Sequence, residues 1–319
     1  MRVMVTGAGG FTGAALARRL IGLRGQAGYF GNITSLVLVD RKLASAPDAP
    51  FVRIVEGDIA DRQVQEEAIG SGIDCLFHLA AVPGGAAEAD EALGRAVNFD
   101  ASRDLMDTLS RQKNRPRVVF SSSIAVFGTP MPEAIDDDTY LVPSMSYGAQ
   151  KLMIEIHLAD ASRRGWIDAR SVRLPGIVAR PRQKTGHISA YMSEIFHALM
   201  AGEPFVCPVS AGAQSWLMSL RRCVDNLLLA TLIPAEALDN RRAWTLPALR
   251  LSMADLAGAI GRAAGRDVSH LVRYESIEEI EAQFGRYPPL STPRADALGF
   301  RHDGSAGDLV RNVIQCPLG

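Results

Sequence analysis

Short apolar runs alternate with helical patterns along the first half of the chain. The runs at residues 2–6, 35–39, 51–55, 75–79 and 118–121 are almost continuously apolar. Between them, apolar residues recur at helical spacing in the stretches 11–23, 61–69 and 97–111. Continuous apolar strands separated by helices are typical of a parallel sheet that is covered on both faces. The pattern therefore predicts the α/β class and a doubly wound parallel sheet.

The second half of the chain has a less regular pattern. A strand-like run near residue 170 leads into a segment rich in Pro, Arg and Lys, and helix-like stretches follow at 188–201, 223–232, 253–264 and 276–283. We expect residues 1–175 to form the dinucleotide-binding domain, to which a later segment at about 222–248 also belongs. Most of the smaller α/β substrate lobe is expected to come from residues 176–319. Residues 24–34 and 82–95 are predicted to be loops, and the loop at 82–95 is expected to be mobile. Ser144 or Ser146 is expected to cap a helix that runs to about residue 163.

Composition excludes several classes of partner. The 319 residues carry a net charge of -1, with 47% hydrophobic and 22% charged residues, so nothing favours nucleic acid or an anionic membrane. No apolar run approaches the ~20 residues that span a bilayer, and the first residues do not resemble a signal peptide. The four cysteines have neither CxxC spacing nor a nearby histidine cluster, which predicts reduced thiols, no metal site and a cytoplasmic protein.

A glycine-rich turn follows the first predicted strand. Gly7, Gly10 and Gly13 stand at GxxGxxG spacing between that strand and the first helix. The first glycine permits a tight turn, the second lets the backbone approach a pyrophosphate, and the third allows close packing of helix and sheet. The N-terminus of the helix offers unpaired N–H groups to phosphates. In this context the turn predicts a Rossmann dinucleotide site.

An acidic residue ends the second predicted strand. Asp40 lies 27 residues after Gly13 and can accept hydrogen bonds from the ribose hydroxyls of a bound dinucleotide. Its charge would repel a 2′-phosphate, which predicts NAD as the cofactor, with weaker use of NADP left open because Arg41 could pair with that phosphate. The alternative is that Asp40 only caps the following turn.

Tyr147 and Lys151 are four residues apart in a predicted helix and therefore share one face. A lysine charge ~5 Å from the phenol, at an effective dielectric near 20, is worth about 3 kcal/mol, or roughly two pKa units. That shift would bring a phenol towards the range useful for proton transfer. The predicted strand 118–121 runs into Ser121, Ser122 and Ser123 at the edge where parallel sheets bind ligands. A serine there can hold the substrate oxygen, although a local turn bond is the alternative for Ser121 or Ser122.

Taken together, these motifs resemble the extended short-chain dehydrogenase/reductase family, which includes nucleotide-sugar epimerases and dehydratases. TGAGGFTG, VDRK, GDIAD, HLAA, SSSIAVFG, YGAQK and RLPGIVARP occur in the family's order between residues 6 and 181. The resemblance implies a homodimer formed by the helices after Asn98 and Tyr147, and Ser123, Tyr147 and Lys151 as catalytic residues. It also implies that the dinucleotide is bound by Gly7, Gly10, Phe11, Thr12, Gly13, Asp40, Asp58, Ile59, Leu79, Ala80, Ala81, Asn98, Ser121, Tyr147, Lys151 and Pro175.

Two departures from the family pattern bear on the substrate. Nucleotide-sugar enzymes usually carry Asn where this chain has Gly176, and an arginine at the head of the segment that corresponds here to residues 214–219. A diphosphate without its guanidinium would be costly to bury, so a small substrate fits better. Within the family the motifs are similar to the D-erythronate dehydrogenase group, which implies NAD-dependent oxidation of a small sugar acid to its 2-keto acid.

The expected substrate contacts are Ser123, Tyr147, Gly176 and a cation for the carboxylate. Arg180 is the first choice because it follows the strand RLPGIVA, and the other basic candidates are Arg182, Lys184, His187, Arg221 and Arg222. A nucleotide-sugar 4-epimerase and a uronate dehydrogenase are the enzymatic alternatives. A dinucleotide-sensing regulator is the non-enzymatic one, and an intact Ser–Tyr–Lys set disfavours it.

Overall fold

The computed structural model describes residues 1–43, 49–182 and 188–315. It divides into two compact units. Unit one comprises residues 1–126, 145–173 and 227–244, and unit two comprises residues 127–144, 174–226 and those from 245 onward. Among the described residues, no helix is both long enough and apolar enough to cross a membrane.

A seven-stranded, mostly parallel sheet flanked by helices forms the centre of unit one, which confirms the predicted α/β fold. Its strand order is β10-β6-β5-β4-β1-β2-β3, and the pairs β1–β2, β1–β4, β2–β3 and β4–β5 are parallel. The strands are β1 Arg2–Thr6, β2 Ser35–Asp40, β3 Val52–Glu56, β4 Cys75–His78, β5 Arg117–Ser123, β6 Asp168–Leu174 and β10 Ala243–Thr245. The helices are α1 Phe11–Leu23, α2 Arg62–Ile69, α3 Gly84–Ala89, α4 Glu91–Gly94, α5 Ala101–Ser110 and α6 Ser146–Arg163.

Apolar side chains on both strands and helices close the core of unit one. Met4, Leu76 and Phe120 on the strands are fully buried, as are Leu105 on α5 and Leu158 on α6. Burial of such side chains contributes about 1.5–3 kcal/mol each and is the main driving force for this layered arrangement.

Unit two is built around smaller sheets. One has the order β11-β9-β7, and β12 pairs with β8. Its core includes Met192, Leu199, Leu217, Leu256 and Ile260. Its strands are β7 Gly176–Val178, β8 Phe205–Cys207, β9 Gln214–Ser219, β11 Leu249–Ser252 and β12 Val272–Tyr274. The remaining helices of the chain are α7 Tyr191–Ala201, α8 Leu220–Leu232, α9 Met253–Ala264, α10 Glu278–Phe284, α11 Pro293–Ala297 and α12 Ala306–Gln315; α8 spans the boundary between the units.

The prediction of a loop at residues 82–95 is wrong. Helices α3 and α4 occupy most of this segment, and a six-residue π-helical turn, Arg95–Asp100, joins them to α5. Alanine is the best helix former, the Ala87 side chain is fully buried, and the Asp90 carboxylate accepts a hydrogen bond from the Leu93 N–H. Alanines and a side-chain cap therefore outweigh the glycines.

The predicted serine cap of α6 is also wrong. Met145 is the N-cap residue, and no side chain of the helix start caps it. Instead, Glu88 on α3 accepts a hydrogen bond from the Ser146 N–H at 3.0 Å. A carboxylate is favourable there because the helix N-terminus carries partial positive charge.

Candidate active site

The glycine turn packs backbone against backbone. Gly7 has φ +71°, and a Cβ atom there would lie 2.7 Å from the backbone nitrogen of Ala80. A Cβ on Gly13 would lie 2.0 Å from the carbonyl oxygen of Gly7, and one on Gly9 would lie 2.4 Å from that of Lys42. Each of these distances excludes a side chain, so the sequence of the turn is dictated by close approach.

The start of α1 is open to a ligand. Gly10 is the N-cap residue and supplies no side-chain cap, and Gly9 and Gly10 are exposed. Phe11 and Thr12, in the first turn of the helix, are partly exposed. The first N–H groups of a helix have no partner within the helix, so this end is suited to a phosphate group.

Asp40 ends β2 beside this turn. One carboxylate oxygen accepts a hydrogen bond from the Gly9 N–H at 2.9 Å, and the other accepts from the Arg41 N–H at 2.7 Å. An ionised carboxylate has about four acceptor sites, so these two bonds leave capacity for ribose hydroxyls. Asp40 thus holds the glycine turn as well as ending the strand.

The other predicted dinucleotide residues of unit one follow the carboxyl ends of β3 and β4. Asp58 accepts a hydrogen bond from the Ala60 N–H at 2.9 Å, and the buried Gln65 side chain donates to the carbonyl of Ile59 at 2.8 Å. Residues 79–81 are partly exposed, and the Leu79 N–H donates to the Thr6 carbonyl at 3.2 Å. These segments lie at the sheet edge where open α/β folds bind ligands.

Asn98 lies in the π-helical turn and is buried. Its side-chain oxygen accepts from the Val82 N–H at 2.7 Å, and its amide group donates to the Val82 carbonyl at 3.1 Å and to the Gln150 side chain at 2.9 Å. Asn98 therefore ties the segment after β4 to α6.

Lys151 is buried below Tyr147 on α6. Its ammonium nitrogen donates to the carbonyl of Ser121 at 2.8 Å and lies 5.6 Å from the Tyr147 ring centroid and 4.6 Å from that of Phe120. Tyr147 is partly exposed, and α3 begins close to its ring, since a Cβ on Gly84 would lie 3.7 Å from a ring carbon. Burial lowers the pKa of Lys151 to about 7, against the opposing charge of Glu155.

The three serines at the end of β5 have separate partners. Ser121 donates to the carbonyl of His78 at 3.1 Å, and Ser122 donates to Glu155. Ser123 is partly exposed, and its hydroxyl oxygen accepts from the Ala125 N–H at 3.1 Å. The local turn bond anticipated for Ser121 or Ser122 is therefore made by Ser123, whose hydroxyl keeps its donor capacity.

Three titratable neighbours of the site, Glu155, Arg173 and His78, were not predicted from the sequence. Glu155 is buried one turn after Lys151, and Arg173 on β6 binds its carboxylate with Nε at 3.0 Å and Nη2 at 2.7 Å. The spacing of four residues after Lys151 is the signal that could have identified Glu155. His78 is buried between the hydroxyls of Thr6, at 2.7 Å, and Ser102, at 2.9 Å; burial lowers its pKa to about 3, and the charge of Lys151 adds to that shift.

Pro175, Gly176 and Arg180 belong to unit two. Pro175 is buried, and Arg180 is exposed while its backbone is held by the side chains of Ser193, at 3.0 Å, and His197, at 2.6 Å. Arg182, another candidate for the carboxylate, pairs with Glu194 and Glu203. Arg221 is exposed and donates to Gln315, whereas the buried Nε of Arg222 has no hydrogen-bond partner among the described residues. Lys184 and His187 lie outside the described residues.

Comparison with known proteins gives the class to which this site belongs. The model of the NAD dependent epimerase/dehydratase family matches residues 3–215. Curated D-erythronate dehydrogenases of Cupriavidus necator and Haemophilus influenzae are 40% and 32% identical over 99% of this chain, and the alignments cover 98% and 99% of those proteins. A crystal structure titled as the nucleoside-diphosphate-sugar epimerase from Agrobacterium tumefaciens superposes with a TM-score of 0.91 at 32% identity, covering 99% of this chain and 94% of that one.

The chain belongs to the NAD dependent epimerase/dehydratase family, as its motifs predicted, and is an NAD-dependent oxidoreductase acting on a CH–OH group. The residues present fit the dinucleotide. Side chains are excluded at Gly7, Gly9 and Gly13, the first turn of α1 is uncapped, and a carboxylate ends β2. These are the features that a pyrophosphate and an adenosine ribose require.

Proposed function

We propose that this protein is a cytoplasmic dehydrogenase that oxidises a small sugar acid, D-erythronate in the first place, to the 2-keto acid with NAD. The identity of 40% to a D-erythronate dehydrogenase over nearly the whole of both chains supports the substrate. The described cysteines, Cys75, Cys207 and Cys223, are buried free thiols, which is compatible with a reducing compartment.

The close packing around Gly176 is the observation that best supports a small substrate. A Cβ there would lie 3.0 Å from the Trp216 carbonyl oxygen and 3.3 Å from a Leu217 methyl carbon. The asparagine usual in nucleotide-sugar enzymes would therefore require Trp216 and Leu217 on β9 to shift by a few tenths of an ångström. Strand β9 itself, QSWLMS, contains no arginine, and Trp216, Leu217 and Met218 are fully buried. Unit two thus lacks both polar groups at the positions expected of a nucleotide-sugar enzyme.

Tyr147 is the proposed general base. Its phenolate oxygen would accept the proton of the substrate hydroxyl, and the Lys151 ammonium near its ring stabilises the phenolate relative to the phenol. Ser123, at the end of β5, would donate a hydrogen bond to the same substrate oxygen and orient it. When bound, NAD supplies the acceptor for the hydride that leaves the carbon.

Arg180 is the proposed partner of the substrate carboxylate. A carboxylate that enters a closed site needs a cation, and an arginine can bind it with two parallel hydrogen bonds. We expect Arg180→Ala to raise KM for D-erythronate strongly and Arg180→Lys to rescue it partly, with little effect on neutral polyols. Arg182→Ala is the control, because it removes a nearby arginine charge that is paired with Glu194 and Glu203. Unchanged kinetics in Arg180→Ala would transfer the role to Arg221, and unchanged kinetics in Arg221→Ala as well would contradict an acid substrate.

The direct test is NADH formation, measured by absorbance, with C4–C6 aldonic and uronic acids as substrates. D-erythronate should give the highest kcat/KM, and a preference for uronic acids would make the protein a uronate dehydrogenase. The similar Agrobacterium tumefaciens structure carries the name nucleoside-diphosphate-sugar epimerase. A nucleotide-sugar 4-epimerase would interconvert nucleotide sugars without net NADH formation. Absence of turnover with every acid would overturn the proposal.

We also propose a homodimer. Met153 and Ile156 on α6 are 42% and 63% exposed, and such apolar side chains on a helix surface favour contact with a second copy. Sedimentation equilibrium should give twice the 34.3 kDa chain mass, and Ile156→Glu should reduce it to the monomer mass. A wild-type monomer would refute the dimer.

A further inference from the structure

Lys151, on which the proposed mechanism depends, is held in an environment that opposes its charge. The side chain is 1% exposed, and among the described residues of unit one its ammonium has one hydrogen-bond acceptor, the Ser121 carbonyl at 2.8 Å. Phe120 covers it at 4.6 Å. Burial of an ammonium with few partners favours loss of its proton, and a neutral lysine no longer stabilises a phenolate.

A second buried ion lies one helical turn beyond. Glu155 is 3% exposed and occupies the same face of α6 as Tyr147 and Lys151, because the three residues are spaced by four. Its carboxylate accepts a hydrogen bond from the Ser122 hydroxyl, next to the carbonyl that Lys151 binds. The Glu155 carboxylate thus acts electrostatically on Lys151 and also binds the end of β5.

Arg173 on β6 is the third charged residue of this cluster, beside Lys151 and Glu155. Its guanidinium binds both oxygens of Glu155, with Nε at 3.0 and 3.2 Å and Nη2 at 2.7 Å, and its side chain is 12% exposed. The positive charge of Arg173 beside the Glu155 carboxylate reduces the negative field of that carboxylate at Lys151.

We propose that Glu155 and Arg173 are positioning residues for the proposed reaction: Glu155 keeps Lys151 in the ammonium form and fixes the end of β5, and Arg173 limits the negative field that Lys151 experiences. The burial effect on Lys151, which the charge of Glu155 opposes, is consistent with this assignment. The inference rests on the proposed role of Lys151 in the dehydrogenase reaction.

Among the described residues, further titratable groups lie on β4 and on the elements that pack against α6. On β4, His78 remains neutral above about pH 3. On α3, Glu88 binds the backbone at the start of α6, and on α5 Asp107 pairs with His157 on a more exposed part of α6. The charged residues of the π-helical turn and the start of α5 pair with one another; Arg95 and Asp104 are exposed, and Asp100 and Arg103 are partly exposed.

Opposite substitutions provide the test. Glu155→Gln keeps an acceptor for Ser122 and removes the negative charge, so Lys151 should lose its proton at a pH lower by roughly one unit. Arg173→Gln leaves Glu155 unopposed and should shift the titration of Lys151 upward by a similar amount. Arg173→Lys keeps the charge and should stay near the wild type, as should Ser122→Ala.

Two readouts apply to the full-length protein. The first is the ¹³Cε chemical shift of lysine as a function of pH, which is simple here because the chain has four lysines, Lys42, Lys113, Lys151 and Lys184, and Lys151→Arg assigns the signal. The second is the pH dependence of kcat for D-erythronate. The pH at which kcat changes on the alkaline side should shift in the same direction as the pKa of Lys151.

Shifts in opposite directions support the proposal, whereas shifts of equal sign, or none, in folded variants overturn it. If Glu155→Gln does not fold, the double substitution Glu155→Gln/Arg173→Gln, which removes the pair together, takes its place and should return the titration towards the wild type relative to Arg173→Gln. If wild-type protein does not oxidise D-erythronate, the proposed function fails, but the chemical-shift titration still decides the electrostatic role.

Discussion

The two ends of the seven-stranded sheet carry buried charges of different kinds. At the carboxyl ends of the strands, the Lys151 ammonium donates to one carbonyl among the described residues of unit one, packs against Phe120 and lies one helical turn from the Glu155–Arg173 pair. At the amino end of β6, the Asp168 carboxylate is bound by three guanidinium groups, those of Arg170 at 2.8 Å, Arg242 at 2.9 Å and Arg117 at 3.2 Å.

The amino-end cluster is tied to the backbone. Arg170 donates to the carbonyls of Asp168 and Ile233 at 2.8 Å, and Arg117 donates to the carbonyl of Thr231. Burial raises the pKa of Asp168, but the surrounding arginines outweigh this effect and the net shift is downward.

We propose that the two ends of this sheet serve different purposes. At the amino end, one carboxylate is shared by three guanidinium groups, and we expect this cluster to contribute mainly to folding. At the carboxyl end, the Glu155–Arg173 pair lies one helical turn from Lys151, and we expect this arrangement to act mainly on the proposed reaction. Strained or under-satisfied groups are typical of functional sites. The substitutions below test this separation.

Tyr147→Phe should have the largest effect. Loss of the proposed base should reduce kcat for D-erythronate by about 100- to 10,000-fold, while NAD affinity and the free energy of unfolding stay near wild type. Steady-state kinetics, fluorescence titration with NAD and urea unfolding measure the three quantities. Near-normal turnover would remove Tyr147 from the mechanism.

Asp168→Asn should act on stability instead. Removal of the shared carboxylate leaves buried guanidinium groups uncompensated and should lower the free energy of unfolding by about 3–5 kcal/mol, with kcat per folded molecule unchanged. The control Asp160→Asn, at an exposed pair with Arg163 and Arg164, should cost less than about 1 kcal/mol. Both variants are compared by urea unfolding.

The stabilisation by Asp168 should also depend on pH. Because its pKa is lower in the folded protein, its contribution is complete above the unfolded value of about 3.9 and is lost as the pH falls towards the folded value. Asp168→Asn should therefore flatten the acid side of the stability profile. A loss of turnover at unchanged stability would contradict the separation of the two ends.

Asp40→Ala should produce an intermediate change at the carboxyl end. Without the carboxylate that ends β2, the ratio of kcat/KM for NADP to that for NAD should rise by roughly tenfold, a difference of about 1.4 kcal/mol. The gain should disappear in Asp40→Ala/Arg41→Ala if Arg41 binds the 2′-phosphate. A wild type that already prefers NADP would refute the assignment of Asp40.

Gly22→Ala should have the smallest effect, and it should be favourable. A Cβ on Gly22 would meet no atom within 4 Å, and alanine in a helix is preferred to glycine by about 0.5–1 kcal/mol. The companion Gly13→Ala, on the same helix, places its Cβ 2.0 Å from the Gly7 carbonyl and should weaken NAD binding strongly. Equal effects in thermal unfolding and NAD titration would show that the turn tolerates a side chain.

The sequence was sufficient for strands β1 to β6 of the central sheet, most of which are apolar runs, and for the glycine turn, whose glycines are required by close contacts. It did not predict the short edge strand β10. It failed where distant residues decide the local structure. The segment 84–94 is helical partly because Ala87 is buried, and α6 is capped by Glu88 from another helix, not by its own serine. Arg173 is far from Lys151 in sequence, so no spacing pattern could join it to Glu155 and Lys151.

Unit one is discontinuous, and its edge strand β10 comes from residues 243–245, after about seventy residues that separate it from β6. Ser171 on β6 donates its N–H to the carbonyl of Arg242 at 2.8 Å, and the Arg242 guanidinium donates to the Asp168 carboxylate. During synthesis on a ribosome, β6 and its buried carboxylate emerge long before these partners. The central domain consequently cannot finish folding as a nascent chain until most of the polypeptide has left the exit tunnel, and truncation before residue 242 should yield protein that aggregates.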